Sequence, residues 1–260
     1  NILSRFFNQS NNKAIGLKIN NNWKWISNNE IIQNINNVKY TLISRDVKYG
    51  DRIAYQGNNS PEWIYWNLAC QSLGLIWVPM YQDQSKDYCQ YIIDDCNPKL
   101  TISDKLYYSN TINMKNNLEK DYIKDDENIA ITNVKKDDLS TIIYTSGTTG
   151  NPKGVMLTHN NLISNIETIE ERFGDINYKT TSLNILPWAH IYSLTTELYY
   201  NLYRNNSIAL ATDKTTFVNE CKEVSPDVLY IVPRVLDLIK QKLEKFDKPL
   251  IRLILPKLLN

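Results

Sequence analysis

Residues Tyr144 to His159 read YTSGTTGNPKGVMLTH, small hydroxyl and glycine residues gathered around one lysine behind the apolar run Thr141-Ile142-Ile143. Glycine has no Cβ, so Gly147, Gly150 and Gly154 permit left-handed backbone and close approach to a ligand. Successive N–H groups can then converge on an anion, with Ser146, Thr148 and Thr149 adding hydroxyl donors and Lys153 a movable point charge. The chemistry indicated is the handling of a nucleoside triphosphate. Lys153 is followed by Gly154 rather than by Ser or Thr, which separates this string from the commoner phosphate loop. No Gly-x-Gly-x-x-Gly follows a strand, so a dinucleotide fingerprint is not supported. The bland alternative is a solvated turn rich in Ser, Thr and Gly.

A second station is Leu186-Pro187-Trp188-Ala189-His190-Ile191-Tyr192, which leaves an expected strand and opens an expected helix. His190 therefore falls beyond a strand's carboxyl end, where ligands collect in open α/β sheets. Taken alone, a histidine is more often structural than functional. Trp188, Tyr192, Tyr199 and Tyr200 read either as the lining of an apolar tunnel or as core, the commoner fate of helical aromatics.

Elements that must hold these residues are legible from periodicity. Ile31, Ile35, Val38 and Leu42 recur at helical spacing and predict a helix over 31–43. A short strand is expected over 52–56. Ser60-Pro61-Glu62 then opens a helix that runs to about Leu73 and stops at Gly74, with Ser60 as N-cap and Pro61 in the first helical position. A buried strand over 75–79, a helix over 85–96 and a strand over 100–103 follow. The polar stretch 105–138 reads as a linker or surface excursion. Beyond the glycine-rich loop come a helix over 160–173, a strand over 182–186, a helix over 191–204, strands over 208–211 and 227–232, and an amphipathic helix over 233–246. Strands alternating with helices predict an α/β fold of βα units with a largely parallel sheet covered by helices.

The motifs together resemble the adenylate-forming (AMP-binding) superfamily of acyl-CoA synthetases, aryl-CoA ligases, luciferases and peptide-synthetase adenylation domains. The Leu-Pro-x-Ala-His spacing and the segment Val232-Pro233-Arg234-Val235 look most like fatty acyl-CoA synthetases. Gly50-Asp51-Arg52 with Asn58, Ser60, Pro61, Glu62 and Trp63 resembles the family's early helix, and Arg234 reads as a solvated helix-start cation. The resemblance implies ATP-dependent activation of a fatty acid to an acyl-adenylate, then capture by coenzyme A, with Mg2+ offsetting phosphate charge. On that basis Ser146, Gly147, Thr148, Thr149, Gly150 and Lys153 would hold phosphates, Thr145 would also be a magnesium ligand, and His190 would border the carboxylate and acyl pocket. Lys153 and His190 are the candidate catalytic residues. The family's aromatic-Gly-x-Thr-Glu segment, ribose-binding aspartate and late lysine have no match here. The chain thus reads as residues 1–260 of an incomplete N-terminal adenylation domain, without the small C-terminal domain, so complete turnover by these residues alone is not expected. An aryl-CoA ligase or another adenylate-forming enzyme is an alternative, as is a non-catalytic nucleotide-binding or interaction module.

Composition narrows the classes. With 260 residues and 42% hydrophobic content the chain can bury an ordinary core. A net charge of +1, from 29 basic and 28 acidic residues, leaves no electrostatic footprint for nucleic acid. Cys70, Cys89, Cys96 and Cys221 form no C-x-x-C pair, which argues against zinc and fits a reducing, cytoplasmic setting. The most apolar stretch, 68–81, is broken by Gln71, Ser72, Gly74 and Pro79, so any contact with an internal membrane would be peripheral, on its cytosolic face.

Overall fold

Ser27 begins the first long helix because its hydroxyl accepts the Glu30 N–H at 3.3 Å while the Glu30 carboxylate accepts the Ser27 N–H at 2.8 Å, a reciprocal cap of otherwise orphaned donors. The computed structural model describes residues 10–105, 108, 111–113, 134–145, 151–175 and 178–237. Within them the order is β1 (Ile15–Ile19), β2 (Asn22–Ile26), α1 (Asn28–Ile43), β3 (Arg52–Gln56), α2 (Pro61–Leu73), β4 (Ile76–Met80), α3 (Lys86–Cys96), β5 (Leu100–Ser103), β6 (Thr111–Ile112), β7 (Leu139–Thr145) and β8 (Lys153–Thr158). There follow α4 (His159–Phe173), β9 (Thr181–Asn184), α5 (Ile191–Ser193), a π-helical segment (Leu194–Tyr199), α6 (Tyr200–Arg204), β10 (Ser207–Leu210) and α7 (Phe217–Val224).

The strands divide into two sheets, one in the order β2-β1-β10-β9 and one in the order β6-β5-β3-β4-β7-β8. Every pairing is parallel except β1 with β2 and β7 with β8, each at a sheet edge. The chain opens the first sheet, builds the second, and returns to finish the first, pairing Ile15 with Ile208. Strand–helix alternation reveals parallel pairing but not how many sheets share the strands. That division became visible only through the register.

Parallel strands covered on both faces are apolar throughout. Ile53, Ala54 and Tyr55 of β3 are all fully buried. One face contributes Ile53, Tyr55 and Trp77 to a core shared with Ile35 and Val38 of α1, Trp63 and Ile64 of α2, and Leu194 and Leu198 of the π segment. The other face sends Ala54, Val78 and Met80 toward Cys89 and Ile92 of α3. A third cluster packs Leu183 and Ala209 against Phe217 and Val218 of α7. Aromatic rings run through the shared core: Tyr55 to Trp77 at 5.0 Å, Trp77 to Trp63 at 5.2 Å, and Trp63 to Trp188 at 5.5 Å between centroids.

Several expectations are adjusted. Residues 227–232 form no strand, only one parallel bridge between Val228 and Ser182, while Thr181 N–H donates to the Asp227 carboxylate at 2.8 Å. Helix α7, which periodicity did not single out, occupies 217–224. The expected helix from Pro233 is present over 233–237, and its continuation lies outside the described residues. The excursion 105–138 includes the short parallel strand β6, and 114–133 also lie outside. No helix among the described residues is long and apolar enough to cross a membrane.

Candidate active site

Strand β7 carries Leu139 to Thr145 out of the second sheet, and its apolar residues Ile142 and Ile143 are buried on either face. The sequence continues with Ser146, Gly147, Thr148, Thr149 and Gly150, which lie outside the described residues. From the sequence alone, 144–159 is expected to be one continuous loop. Residues Lys153 to Thr158 instead form strand β8, antiparallel to β7, because Val155 pairs with Ile143, Met156 with Ile142 and Leu157 with Thr141. The glycine-rich segment is therefore the connection of a hairpin.

That hairpin places Lys153 directly opposite Thr145 at the end next to its connection, both exposed. β7 lies parallel to β4 and β3, so this end coincides with the carboxyl ends of the sheet, the usual location of ligands in such folds. Gly154 corrects an expectation: it lies opposite Tyr144, and its φ is not left-handed. It is glycine for space, since a Cβ there would come within 2.8 Å of Ile142 Cγ2 and 3.1 Å of Tyr144 Cζ. The Tyr144 hydroxyl donates to Asp95 of α3, fixing the strand end beside the loop.

His190 stands at the end of the turn that leaves β9, exposed, and forms the N-cap of α5. Its Nδ1 accepts the Tyr192 N–H at 3.2 Å. The turn behind it is held by side chains at four of its backbone groups. Asn59 Nδ2 donates to Leu186 O at 2.8 Å and to Asn184 Oδ1 at 2.7 Å, while Asn59 Oδ1 accepts the Trp188 N–H at 2.9 Å. Ser193 donates to Pro187 O and also lies 3.2 Å from His190 O. Asn59 follows β3 in the second sheet and Asn184 ends β9 in the first, so the carboxyl ends of both sheets meet at this turn.

Beneath it lies Glu197, fully buried in the π-helical segment, accepting a hydrogen bond from Asn184 Nδ2. Burial pushes its carboxyl up to about 8, with Asn184, Trp188 and Ser182 drawing it back down. Asn59, Asn184 and Glu197 were not singled out from the sequence. The available signal was Glu197 itself, one acid on the same helical side as Leu194 and Leu198. Of the four aromatics weighed for a tunnel, Trp188, Tyr199 and Tyr200 are core, and Tyr192 alone is exposed, at 38%. Arg234 is exposed, as a solvated helix-start cation should be. Thr145 and Lys153 share one strand end, whereas no hydrogen bond or ion pair among the described residues joins either to His190.

A family model described as AMP-binding enzyme matches residues 6–255. Fatty acyl-CoA synthetase A of Dictyostelium discoideum is 26% identical over 198 residues, covering 65% of this chain and 30% of that protein. Long-chain-fatty-acid–CoA ligase 5 of Rattus norvegicus is 26% identical over 272 residues, covering 89% of this chain and 40% of its own length. The chain thus spans well under half of these curated relatives. Among solved structures, the inhibitor-bound N-terminal domain of FACL13 from Mycobacterium tuberculosis superposes with a TM-score of 0.80 at 22% identity, covering 95% of this chain and 66% of that one. That likeness concerns the fold.

Proposed function

The chain belongs to the AMP-binding enzyme family, and from that premise we propose that it supplies the triphosphate loop and acyl-side turn of a ligase that activates a fatty acid with ATP and passes the acyl group to coenzyme A. In the first half-reaction a fatty carboxylate oxygen attacks the α-phosphorus of ATP, the bond to the β-phosphate oxygen breaks, and pyrophosphate leaves. In the second, the thiol of coenzyme A displaces AMP from the acyl-adenylate. The protein needs no covalent nucleophile. It must align two anions and hold the charge that develops at phosphorus.

The observation that carries this reading is the pairing of Lys153 with Thr145 across the glycine-rich turn, at the carboxyl end of the sheet. Lys153 would hold the departing pyrophosphate, assisted by hydroxyl and N–H groups of Ser146, Gly147, Thr148, Thr149 and Gly150. His190, exposed at the end of the Leu186–Trp188 turn, would border the carboxylate. Thr145 offers one neutral hydroxyl, and among the described residues no group of three or more His, Cys, Asp or Glu could hold a metal. The residues present therefore fit Mg2+ only as an ion carried chiefly by phosphate oxygens, with one protein hydroxyl. Bound there, it would offset phosphate repulsion.

The test is ATP–pyrophosphate exchange over a panel of fatty acids, with the native polypeptide that carries this chain. Lys153→Ala should lower exchange by about 10²-fold or more, the loss typical of one transition-state charge contact. Unchanged exchange would sink the role given to Lys153. Stoichiometric nucleotide binding without exchange would instead mark a binding module, and preference for aromatic acids an aryl ligase.

A further inference from the structure

Glu197 enters no step of the proposed reaction, yet it is fully buried and in contact with the scaffold of the His190 turn. The π-helical segment that carries it is itself an irregularity of a kind that recurs at functional sites. Its Oε2 accepts from Asn184 Nδ2; that same Nδ2 donates to Leu186 O at 3.0 Å, and Asn184 Oδ1 accepts from Asn59. Oε1 of Glu197 and Nε1 of Trp188 are both buried and complete no hydrogen bond of ordinary geometry among the described residues, although the indole lies close enough to draw the carboxyl toward its ionised form. One carboxyl thus touches the amide that fixes Leu186 and faces an indole of the same turn.

We propose that Glu197 is a positioning residue for His190, acting through Asn184 and Asn59 on the backbone of the Leu186–Trp188 turn. The inference rests on the reading that His190 borders the reacting carboxylate. A neutral carboxyl accepts from Asn184 and still has a proton to donate; an ionised one can only accept, and its charge would pull on the shared amide and the indole. Loss of the proton would therefore redistribute the hydrogen bonds that hold Leu186 O and Trp188 N. No cation offsets the charge among the described residues. The ionisable group that feels its charge is Tyr230, whose hydroxyl burial and the Glu197 charge both raise, and Tyr200 and Tyr192 lie about Tyr230 in turn. Helix α4 packs on the π segment and presents Glu170, which Arg204 already pairs at 2.8 Å. Titration at this locus above neutrality is thus that of Glu197.

Histidine-selective 13C NMR of the native polypeptide that carries this chain, with the His159 and His190 signals assigned by His159→Gln and His190→Gln, follows each imidazole directly. The expected result is a pH-dependent component of the His190 ring signal that follows the Glu197 ionisation. Glu197→Gln should abolish that component, and so should Asn184→Ala, with the His159 signal following one course in all three proteins. Absence of that component in the wild type would overturn the proposal. So would its persistence in Glu197→Gln, or an equal disturbance of both histidines. These signals need neither ATP nor acyl substrate, so failure of exchange activity would bear on the proposed reaction alone.

Discussion

Glu197 is neutral in the folded chain at neutral pH but ionised once unfolded, and that difference makes it a pH-dependent element of stability. Its carboxyl, pushed up to about 8 by burial, binds a proton in the native state over a range in which the unfolded carboxyl, near 4.5, does not. Stability is then fully present below the unfolded value and is lost as pH rises through the folded one, by a few kcal/mol across that window. Glu197→Gln should flatten this decline, which chemical denaturation at pH 5 and pH 9 would measure; an unaltered decline would assign it to another group. Gly154 illustrates a steric dependence at the same scale. Gly154→Ala must push Ile142 or Tyr144 aside in a packed sheet, at about 1–3 kcal/mol, and should tilt the hairpin that carries Lys153. Denaturation midpoints and pyrophosphate exchange should fall together in that variant.

Caps and turns are where elements were most readable. Ser60, Pro61 and Gly74 frame α2 as their chemistry requires: Ser60 Oγ accepts the Trp63 N–H at 3.2 Å, and Gly74 adopts φ of +68°. Gly74→Ala would add strain at that φ and a Cβ 2.4 Å from the Tyr49 ring, so it should cost more than the roughly 1 kcal/mol expected of the cap substitution Ser27→Ala. Thermal melts of the two variants would order them. Elements bounded by such signals, or carrying long apolar periods as α1 and α4 do, could be placed from sequence. Strand β8 could not, because Lys153-Gly154 looks like loop until its register with β7 supplies hydrogen bonds. Nor could the loss of the expected strand at 227–232 be foreseen, since a short apolar run does not by itself fix a strand; the segment lies beside the edge strand β9 yet bridges it only at Val228. The glycine-rich segment was legible as a motif, while Asn59, Asn184 and Glu197 were not. Asparagine is common in this sequence, and only contact across 125 residues of chain distinguishes Asn59 from its solvated neighbours.

At the scale of the molecule, two sheets are joined at their carboxyl ends by a few side chains. Asn59 makes three of these bonds, and Asn59→Ala would leave Trp188 N–H without that partner and remove the donors to Leu186 O and Asn184 Oδ1. A loss of about 1–3 kcal/mol is expected, with the second sheet's own strands intact, which hydrogen exchange on β3 and β4 would register. Aromatic packing crosses the same junction: Trp63 belongs to a helix of the second sheet's half, Trp188 to the turn that leaves the first, and their rings meet edge to face at 5.5 Å. Indoles held that close share their electronic transitions, so the pair gives the fold an optical signature in near-ultraviolet circular dichroism. The signal depends on the two halves being docked, not on either half being folded. It would vanish in any state where the sheets survive but have parted, while far-ultraviolet dichroism stayed unchanged. The tryptophan pair thus serves as a built-in gauge of assembly between the halves.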